Sequence, residues 1–187
     1  MPCRCALTGR KTADSRSSAC VSQQRFGMEV TMRRSDREIR EAERIDAIIS
    51  SCHCCRLGFC DGKDAYIVPL NFGFCSEGGK RAFYFHSAKE WRKIELIARN
   101  GHAGFELDTG YALKTGETAC SHSARFQSVI GNGTVSFVEE AAEKEAALRL
   151  LMEHNTGRAD WEFTPAMLDA VCVFRLDVEE IACKEHL

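Results

Sequence analysis

Tyr66-Ile-Val-Pro-Leu-Asn-Phe-Gly73 has the clearest β-strand pattern in the chain. Its side chains alternate between two faces, which is the period of a β-strand. One face carries Tyr66, Val68, Leu70 and Phe72, and the other carries Ile67, Pro69 and Asn71. Because proline has no N–H to donate, Pro69 predicts an edge strand or a bulge. We expect this strand to span residues 65–74 and to follow a turn at Asp61-Gly62.

Further strands are predicted on both sides of this stretch. Residues 55–60 precede it, and residues 81–86 follow it after a second turn at Ser76-Glu-Gly-Gly79. We expect these three strands to form an antiparallel meander. Later strands are predicted at residues 102–108, 124–138 and 171–178. In the second of these, Gly131-Asn-Gly133 predicts a bulge or a close approach of two backbones.

Apolar residues at helical spacing predict two helices in the first half of the chain. The first spans about residues 36–51, with Ser35 as its cap and Glu38 three residues later. Its apolar stripe consists of Ile39, Ala42, Ile45 and Ile49. The second spans about residues 88–100 and ends at Asn100-Gly101. Its core-facing residues are predicted to be Trp91, Ile94, Ile97 and Ala98.

Two more helices are predicted in the second half. Residues 139–154 carry an inward stripe that includes Ala147, Leu148 and Leu151. Thr164-Pro165 has the pattern of an N-cap followed by the first residue of a brief helix. Antiparallel strands combined with separate helices indicate an α+β fold with a barrel-like sheet.

Composition limits the class of protein. The 187 residues are 44% apolar and 28% charged, which is typical of one globular domain. A net charge of −2 argues against a strongly basic surface for nucleic acid or an anionic membrane. No apolar run approaches the roughly 18–20 residues of a membrane span, and the N-terminus lacks the apolar core of a secretory signal. We therefore expect a soluble cytoplasmic protein.

The same patterns predict the domain organisation. Residues 1–31 lack a hydrophobic period, so they are predicted to be a disordered N-terminal extension. An ordered arm on a partner subunit is the alternative for this segment. The folded domain is expected at residues 32–187.

Cysteine is unusually abundant. The 11 cysteines are an odd number, so they cannot all pair within one chain, and we expect most thiols to be reduced. Cys52-His-Cys-Cys55, with Cys60 nearby, contains a CxxC pair, but a structural zinc site usually needs a second pair. The sequence therefore favours ordinary buried cysteines over a metal site. It also lacks the glycine patterns of nucleotide loops and the GxSxG pattern of hydrolases.

The strand that begins at Arg81 runs directly into the second helix, as Arg81-Ala-Phe-Tyr-Phe-His-Ser-Ala-Lys-Glu-Trp-Arg-Lys-Ile94. Ser87 offers a hydroxyl, and Lys89, Arg92 and Lys93 supply cations within two turns. Together with the N-terminal amides of a helix, these groups suit a phosphate monoester. A solvated basic helix face is the alternative.

Taken in order, these blocks resemble the 5-nitroimidazole-resistance (Nim) branch of the pyridoxamine 5′-phosphate oxidase-like, FMN-binding split-barrel superfamily. The matching blocks, besides residues 66–73, are Met32-Arg-Arg-Ser-Asp-Arg-Glu-Ile39, Cys55-Arg-Leu-Gly58, Phe83-Tyr-Phe-His-Ser-Ala88 with Arg92-Lys-Ile94, and Ser128-Val-Ile-Gly131 with Gly133. The resemblance covers about residues 32–185, and the VPLNFG and FHSA blocks are its most specific parts.

The resemblance implies a six-stranded antiparallel split β-barrel with peripheral helices, which forms a homodimer with FMN in a cleft between the subunits. The implied cofactor-binding residues are Val68, Pro69, Leu70, Asn71, Phe85, His86, Ser87, Ala88, Arg92, Lys93, Gln127 and Ser128. Arg92 and Lys93 would hold the phosphate. Two features depart from the family: its members commonly have glycine where Trp91 stands, and 11 cysteines are atypical.

The resemblance also implies a function. We expect an FMN-dependent oxidoreductase that reduces nitroaromatic compounds such as 5-nitroimidazoles, and thus a link to antibiotic resistance. His86 is the catalytic candidate, because imidazole can donate a hydrogen bond or a proton near neutral pH; packing beside the flavin is the alternative for it. The alternative for the whole protein is a non-catalytic split barrel that binds flavin or haem. A structural cysteine–zinc protein is the third hypothesis.

Overall fold

The computed structural model describes residues 35–187, so the predicted extension at residues 1–31 lies outside the described part. The strands are β1 (Glu38–Ile39), β2 (Cys55–Asp61), β3 (Asp64–Leu70), β4 (Gly73–Glu77), β5 (Lys80–Ser87), β6 (His102–Lys114), β7 (Ser123–Val138) and β8 (Cys172–His186). The helices are α1 (Ala42–Ser51), α2 (Arg92–Asn100), α3 (Ala141–Thr156) and α4 (Pro165–Ala170). The longest described helix has 16 residues, and none could cross a membrane.

Antiparallel pairing joins the described strands into one sheet. Its order is β3-β2-β6-β7-β8-β5-β4, and β1 pairs separately with β8. The predicted α+β class and antiparallel sheet are confirmed. The strand number differs from the expected six, because the described residues form eight strands. β3 and β4 stand at the two ends of this order and do not pair, so the sheet is not closed within the described chain.

The predicted meander is wrong, because residues 65–74 form two strands instead of one. β3 ends at Leu70 and pairs only with β2, whereas β4 begins at Gly73 and pairs with β5. The chain leaves the strand at Asn71, whose side-chain amide donates to the backbone carbonyl of His53 at 3.2 Å. Phe72 then enters the core with no exposed surface. Pro69 does lie on an edge strand, as predicted.

Two helices begin later than predicted. α1 begins at Ala42 because Glu38 and Ile39 pair with Lys184 and Cys183 of β8, where Ile39 is buried. α2 begins at Arg92 rather than near residue 88. α3 and α4 match their predictions closely, and the hydroxyl of Thr164 accepts a hydrogen bond from the Met167 amide as the expected N-cap.

The helices pack the sheet on two sides. The large core contains six buried phenylalanines, namely Phe59, Phe72, Phe83, Phe85, Phe105 and Phe174. A second apolar cluster lies between β5, β7, β8, α3 and α4, and consists of Ala82, Tyr84, Val138, Ala147, Leu148, Leu168 and Val173. Alternate residues of β5 therefore face different apolar regions.

The bulge predicted at Gly131-Asn-Gly133 is confirmed. The register between β7 and β8 shifts between Asn132 and Gly133. A Cβ atom at Gly133 would overlap the carbonyl of Asp177, and one at Gly131 would overlap the carbonyl of Glu180. Glycine is therefore required where these two backbones meet.

Three cysteines contribute to the core. Cys52, Cys55 and Cys183 are buried and free. Burial raises the pKa of the Cys52 thiol to about 12 and that of Cys183 to about 11. Within residues 35–187, no group of three or more histidine, cysteine, aspartate or glutamate side chains is placed to hold a metal ion.

Candidate functional site

β5 ends by directing consecutive side chains to opposite faces of the sheet, as a strand must. Ser87 is buried, and its hydroxyl donates to the carbonyl of Ala88 at 2.7 Å. Phe85 is fully buried and stacks on Phe174 with 5.3 Å between ring centroids. Phe85 can therefore offer a ligand only its backbone. His86 points to the other face, towards α3 and α4.

His86 lines a cavity of about 350 Å³. The other lining residues are apolar, namely Leu148, Leu151 and Met152 of α3, Met167 and Ala170 of α4, with Phe163 and Val171 beside them. Burial of part of the ring, and then the charge of Lys93, lower the pKa of His86 below its usual 6.5. The imidazole is therefore neutral at pH 7, with one N–H to donate.

Arg92 is the first residue of α2, and it contacts the turn between β2 and β3. Its Nε donates to Asp61 Oδ2 at 2.8 Å, and its guanidinium lies 4.9 Å from the centroid of the Tyr66 ring. Asp61 also accepts from Arg99 Nη2 at 2.7 Å. The hydrogen bonds from Arg99 and Arg92 hold the pKa of the Asp61 carboxyl below its usual value.

Lys93 lies one residue further along α2 and is half-buried. It makes no hydrogen bond or ion pair with another residue of the described chain, although its charge acts on His86 and Cys172. Cys172 pairs with Ser87 in the register between β5 and β8. Arg92 and Lys93 thus provide two cations near the start of a helix. Ser87 adds a hydroxyl that can donate to a ligand once its O–H turns away from the Ala88 carbonyl. These are the donors that a phosphate monoester accepts.

The predicted residues of β3 split between its two faces. Val68 and Leu70 are half-buried against the large core, whereas Pro69 is exposed on the outer face. Asn71 lies just beyond the strand, and its amide donates both to His53 and to Asn155 of α3. The Asn71 side chain is therefore part of the link between the β3–β4 break and α3.

Gln127 and Ser128 lie at the distant end of β7. Gln127 donates to the carboxylate of Glu185 at 2.9 Å. His86, Val173 and Val138 form one row across β5, β8 and β7, and Gln127 is 11 residues from Val138 along β7. At about 3.3 Å per residue this is roughly 35 Å along the strand. The described chain does not bring Gln127 and Ser128 to the β5–α2 segment.

Sequence reasoning missed the groups that contact Arg92. Asp61 was interpreted only as a turn residue, and no spacing pattern links Tyr66 or Arg99 to Arg92. The prediction that Trp91 faces the core is wrong, because its side chain is 70% exposed. Trp91 also has φ of 130°, the one non-glycine residue with positive φ among residues 35–187.

The chain is similar to proteins of a known family. The family model described as pyridoxamine 5′-phosphate oxidase matches residues 41–185. The chain belongs to this family. No curated protein sequence matches it. Among solved structures, a candidate 5-nitroimidazole antibiotic resistance protein from Bacteroides thetaiotaomicron is 30% identical, with 79% of this chain and 86% of that chain covered and a TM-score of 0.69.

Two more distant members of the pyridoxamine 5′-phosphate oxidase fold show how widely the fold is used. A flavocytochrome from Azotobacter vinelandii is 18% identical, with 84% of this chain and 72% of that chain covered. An FAD and haem binding protein from Mycobacterium smegmatis is 16% identical, with 80% and 73% covered. Both have a TM-score of 0.69. The fold is therefore one that holds a flavin in other proteins.

Proposed function

We propose that this member of the pyridoxamine 5′-phosphate oxidase family binds FMN and reduces nitroaromatic compounds. The observation that carries the proposal is the position of His86, which lines an apolar cavity on one face of β5 while the adjoining Ser87–Lys93 segment offers phosphate donors. The similarity to the candidate 5-nitroimidazole resistance protein supports the choice of substrate class.

The residues present fit an FMN phosphate. Lys93 supplies a cation that no described side chain neutralises, and Arg92 supplies a guanidinium that Asp61 holds in place. Ser87 would add a hydroxyl by turning its O–H from the Ala88 carbonyl to the phosphate. The β3 segment from Val68 to Asn71, with the Phe85 and Ala88 backbone, would line the rest of the cofactor. FMN supplies the electrons for reduction of an organic acceptor when it is bound.

A homodimer completes this site. Because Gln127 and Ser128 lie far along β7 from His86 in one chain, a flavin that contacts both sets must lie between two copies. The outer face of the sheet supports this arrangement. It carries a groove of about 400 Å³ beside Gly58 and Gly104, and Ile67 next to it is 65% exposed. Exposed apolar surfaces of this kind mark association sites.

His86 and its cavity would receive the acceptor. The apolar walls suit an aromatic ring, and a neutral imidazole N–H suits a nitro or carbonyl oxygen. Since the lowered pKa leaves little imidazolium at pH 7, the side chain acts as a hydrogen-bond donor rather than as a strong acid. The positive charge of Lys93 favours the neutral imidazole, because it disfavours protonation of His86.

The test is to identify the cofactor and then measure turnover. A yellow purified protein that releases FMN on denaturation is expected. Anaerobic mixing of the reduced protein with a 5-nitroimidazole should reoxidise the flavin. His86→Ala should retain FMN and slow this step at least about tenfold, since losing a hydrogen bond of about 1.4 kcal/mol to the reacting oxygen changes the rate by about that factor. Equal rates for His86→Ala and wild type would remove the catalytic role of His86.

A carrier without turnover is the second candidate. A neutral imidazole at the mouth of an apolar cavity is also what a haem iron takes as a ligand. A Soret band in the purified protein that disappears in His86→Ala would favour haem. A flavin spectrum with no reaction towards nitroimidazoles would favour a flavin carrier.

A further inference from the structure

One carboxylate holds two arginines at the turn that precedes β3. Asp61 Oδ2 accepts from Arg92 Nε at 2.8 Å and lies 2.7 Å from Arg92 Nη2. Its other oxygen, Oδ1, accepts from Arg99 Nη2 at 2.7 Å. The Tyr66 ring supports the Arg92 guanidinium from one face at 4.9 Å. Asp61 therefore holds the edge of the Arg92 guanidinium, and the Tyr66 ring packs against its face.

This arrangement leaves one edge of Arg92 unused. Nε and Nη2 are directed to Asp61, whereas Nη1 makes no hydrogen bond within residues 35–187. A guanidinium presents its donors as a rigid fork, so fixing one edge also fixes the direction of the other. Arg92, Arg99 and Asp61 together carry a net charge of one positive unit. Because Arg99 neutralises the Asp61 carboxylate, Asp61 does not repel an anion that binds to Arg92.

We propose that Asp61 is a positioning residue for the cofactor phosphate: it holds Arg92 so that Nη1 is ready to bind that phosphate. The inference rests on the proposed function, in which Arg92 contacts the FMN phosphate. The physical gain is the rotamer freedom of a long side chain, which is already restricted before binding. Without Asp61, Arg92 keeps its charge but has to be ordered when the phosphate arrives.

The experiment compares two ligands and two variants. FMN carries the phosphate, and riboflavin has the same ring and ribityl chain without it. Asp61→Asn removes the charge from the residue that contacts Arg92. Asp64→Asn is the matched control, because Asp64 is paired with Asp61 in the same hairpin, is exposed and does not contact Arg92. Binding is measured by fluorescence titration of each apoprotein.

Asp61→Asn should weaken FMN binding about three- to tenfold, a part of what a charge-assisted hydrogen bond contributes, and leave riboflavin binding unchanged. Asp64→Asn should bind FMN at least as tightly as the wild type. In an Arg92→Gln background, Asp61→Asn should have no further effect on FMN binding, because the residue acts through Arg92.

Three results would overturn the inference. Tighter FMN binding by Asp61→Asn would show that its charge only repels the phosphate. An equal loss for FMN and riboflavin, or a lowered melting temperature of the apoprotein that accounts for the loss, would show a structural role. A wild-type protein that binds neither ligand would remove the inference together with the proposed function, and that failure is visible before any variant is made.

Discussion

His86 and Ser87 are neighbours in β5, yet their side chains serve opposite faces of the sheet. Ser87 is buried and bonded to the Ala88 carbonyl, while His86 lines the cavity under α3 and α4. One short segment can therefore hold a substrate-facing imidazole and a hydroxyl that donates to a phosphate once its O–H leaves the Ala88 carbonyl, without the two side chains competing for the same ligand atoms.

Lys93 should be the main cation for the FMN phosphate, since no described side chain neutralises it. Lys93→Ala should weaken FMN binding by about 10–100-fold, which corresponds to the loss of roughly 1.5–3 kcal/mol from a charge-assisted hydrogen bond. Lys114→Ala, at the far end of β6, is the control and should bind normally. A fluorescence titration decides, and an unchanged dissociation constant for Lys93→Ala would refute this placement.

The lowered pKa of His86 should make the fold sensitive to acid. The unfolded chain takes up a proton at His86 near pH 6.5, whereas the folded chain does so only at lower pH. Stability therefore falls as the pH drops below about 6.5 and stops falling below the folded pKa. In urea unfolding experiments, the free energy of unfolding should decrease less between pH 7 and pH 5 for His86→Gln than for wild type. The same decrease with pH in both proteins would contradict the prediction.

Trp91 should carry backbone strain, because its φ of 130° and ψ of 156° lie in a region used almost only by glycine. Trp91→Gly should therefore raise the free energy of unfolding, by about 1–3 kcal/mol at most. Trp91→Ala is the control, since alanine has a Cβ and keeps the strain while also removing the indole. If both variants have the same stability, the strain is absent.

The outer face of the sheet should be the contact between two copies. A Cβ atom at Gly104 would lie 3.7 Å from the Gly131 carbonyl and 4.0 Å from the Gly58 carbonyl, which are ordinary contacts, so a side chain there fits the single chain. Gly104→Leu should therefore fold but fail to dimerise. Light scattering should give twice 20.9 kDa for wild type and 20.9 kDa for the variant. Gly133→Leu should instead fail to fold, because it overlaps the Asp177 carbonyl.

Local patterns predicted most of the strands and the later helices correctly. α4 was visible because Thr164 and Pro165 form a cap whose chemistry involves only a few neighbouring residues. The start of α1 could not be predicted from the sequence, because Ile39 fits the apolar stripe of a helix and a buried position in a strand equally well. Its pairing with Cys183 depends on a residue at the other end of the chain.

The candidate site shows the same limit. His86, Ser87 and Lys93 were proposed because they are consecutive or close in the chain, and the family resemblance supplied their roles, which stay predictions. Asp61 and Arg99 were not found, because their contact with Arg92 arises only when the hairpin and α2 pack together. The resemblance also grouped Gln127 with these residues, although they are far apart within one chain.

The position of β8 has a consequence for synthesis on the ribosome. The strands β3, β2, β6 and β7 form one half of the sheet, and β5 and β4 form the other, and β8 is the strand that hydrogen-bonds to both. Until the 15 residues of β8 have left the exit tunnel, no backbone hydrogen bonds join the two halves of the sheet. The edges of β5 and β7 that later pair with β8 are unpaired during this time. Unpaired edges promote aggregation, so chaperones that shield nascent strands should affect the yield of this protein more than its final stability.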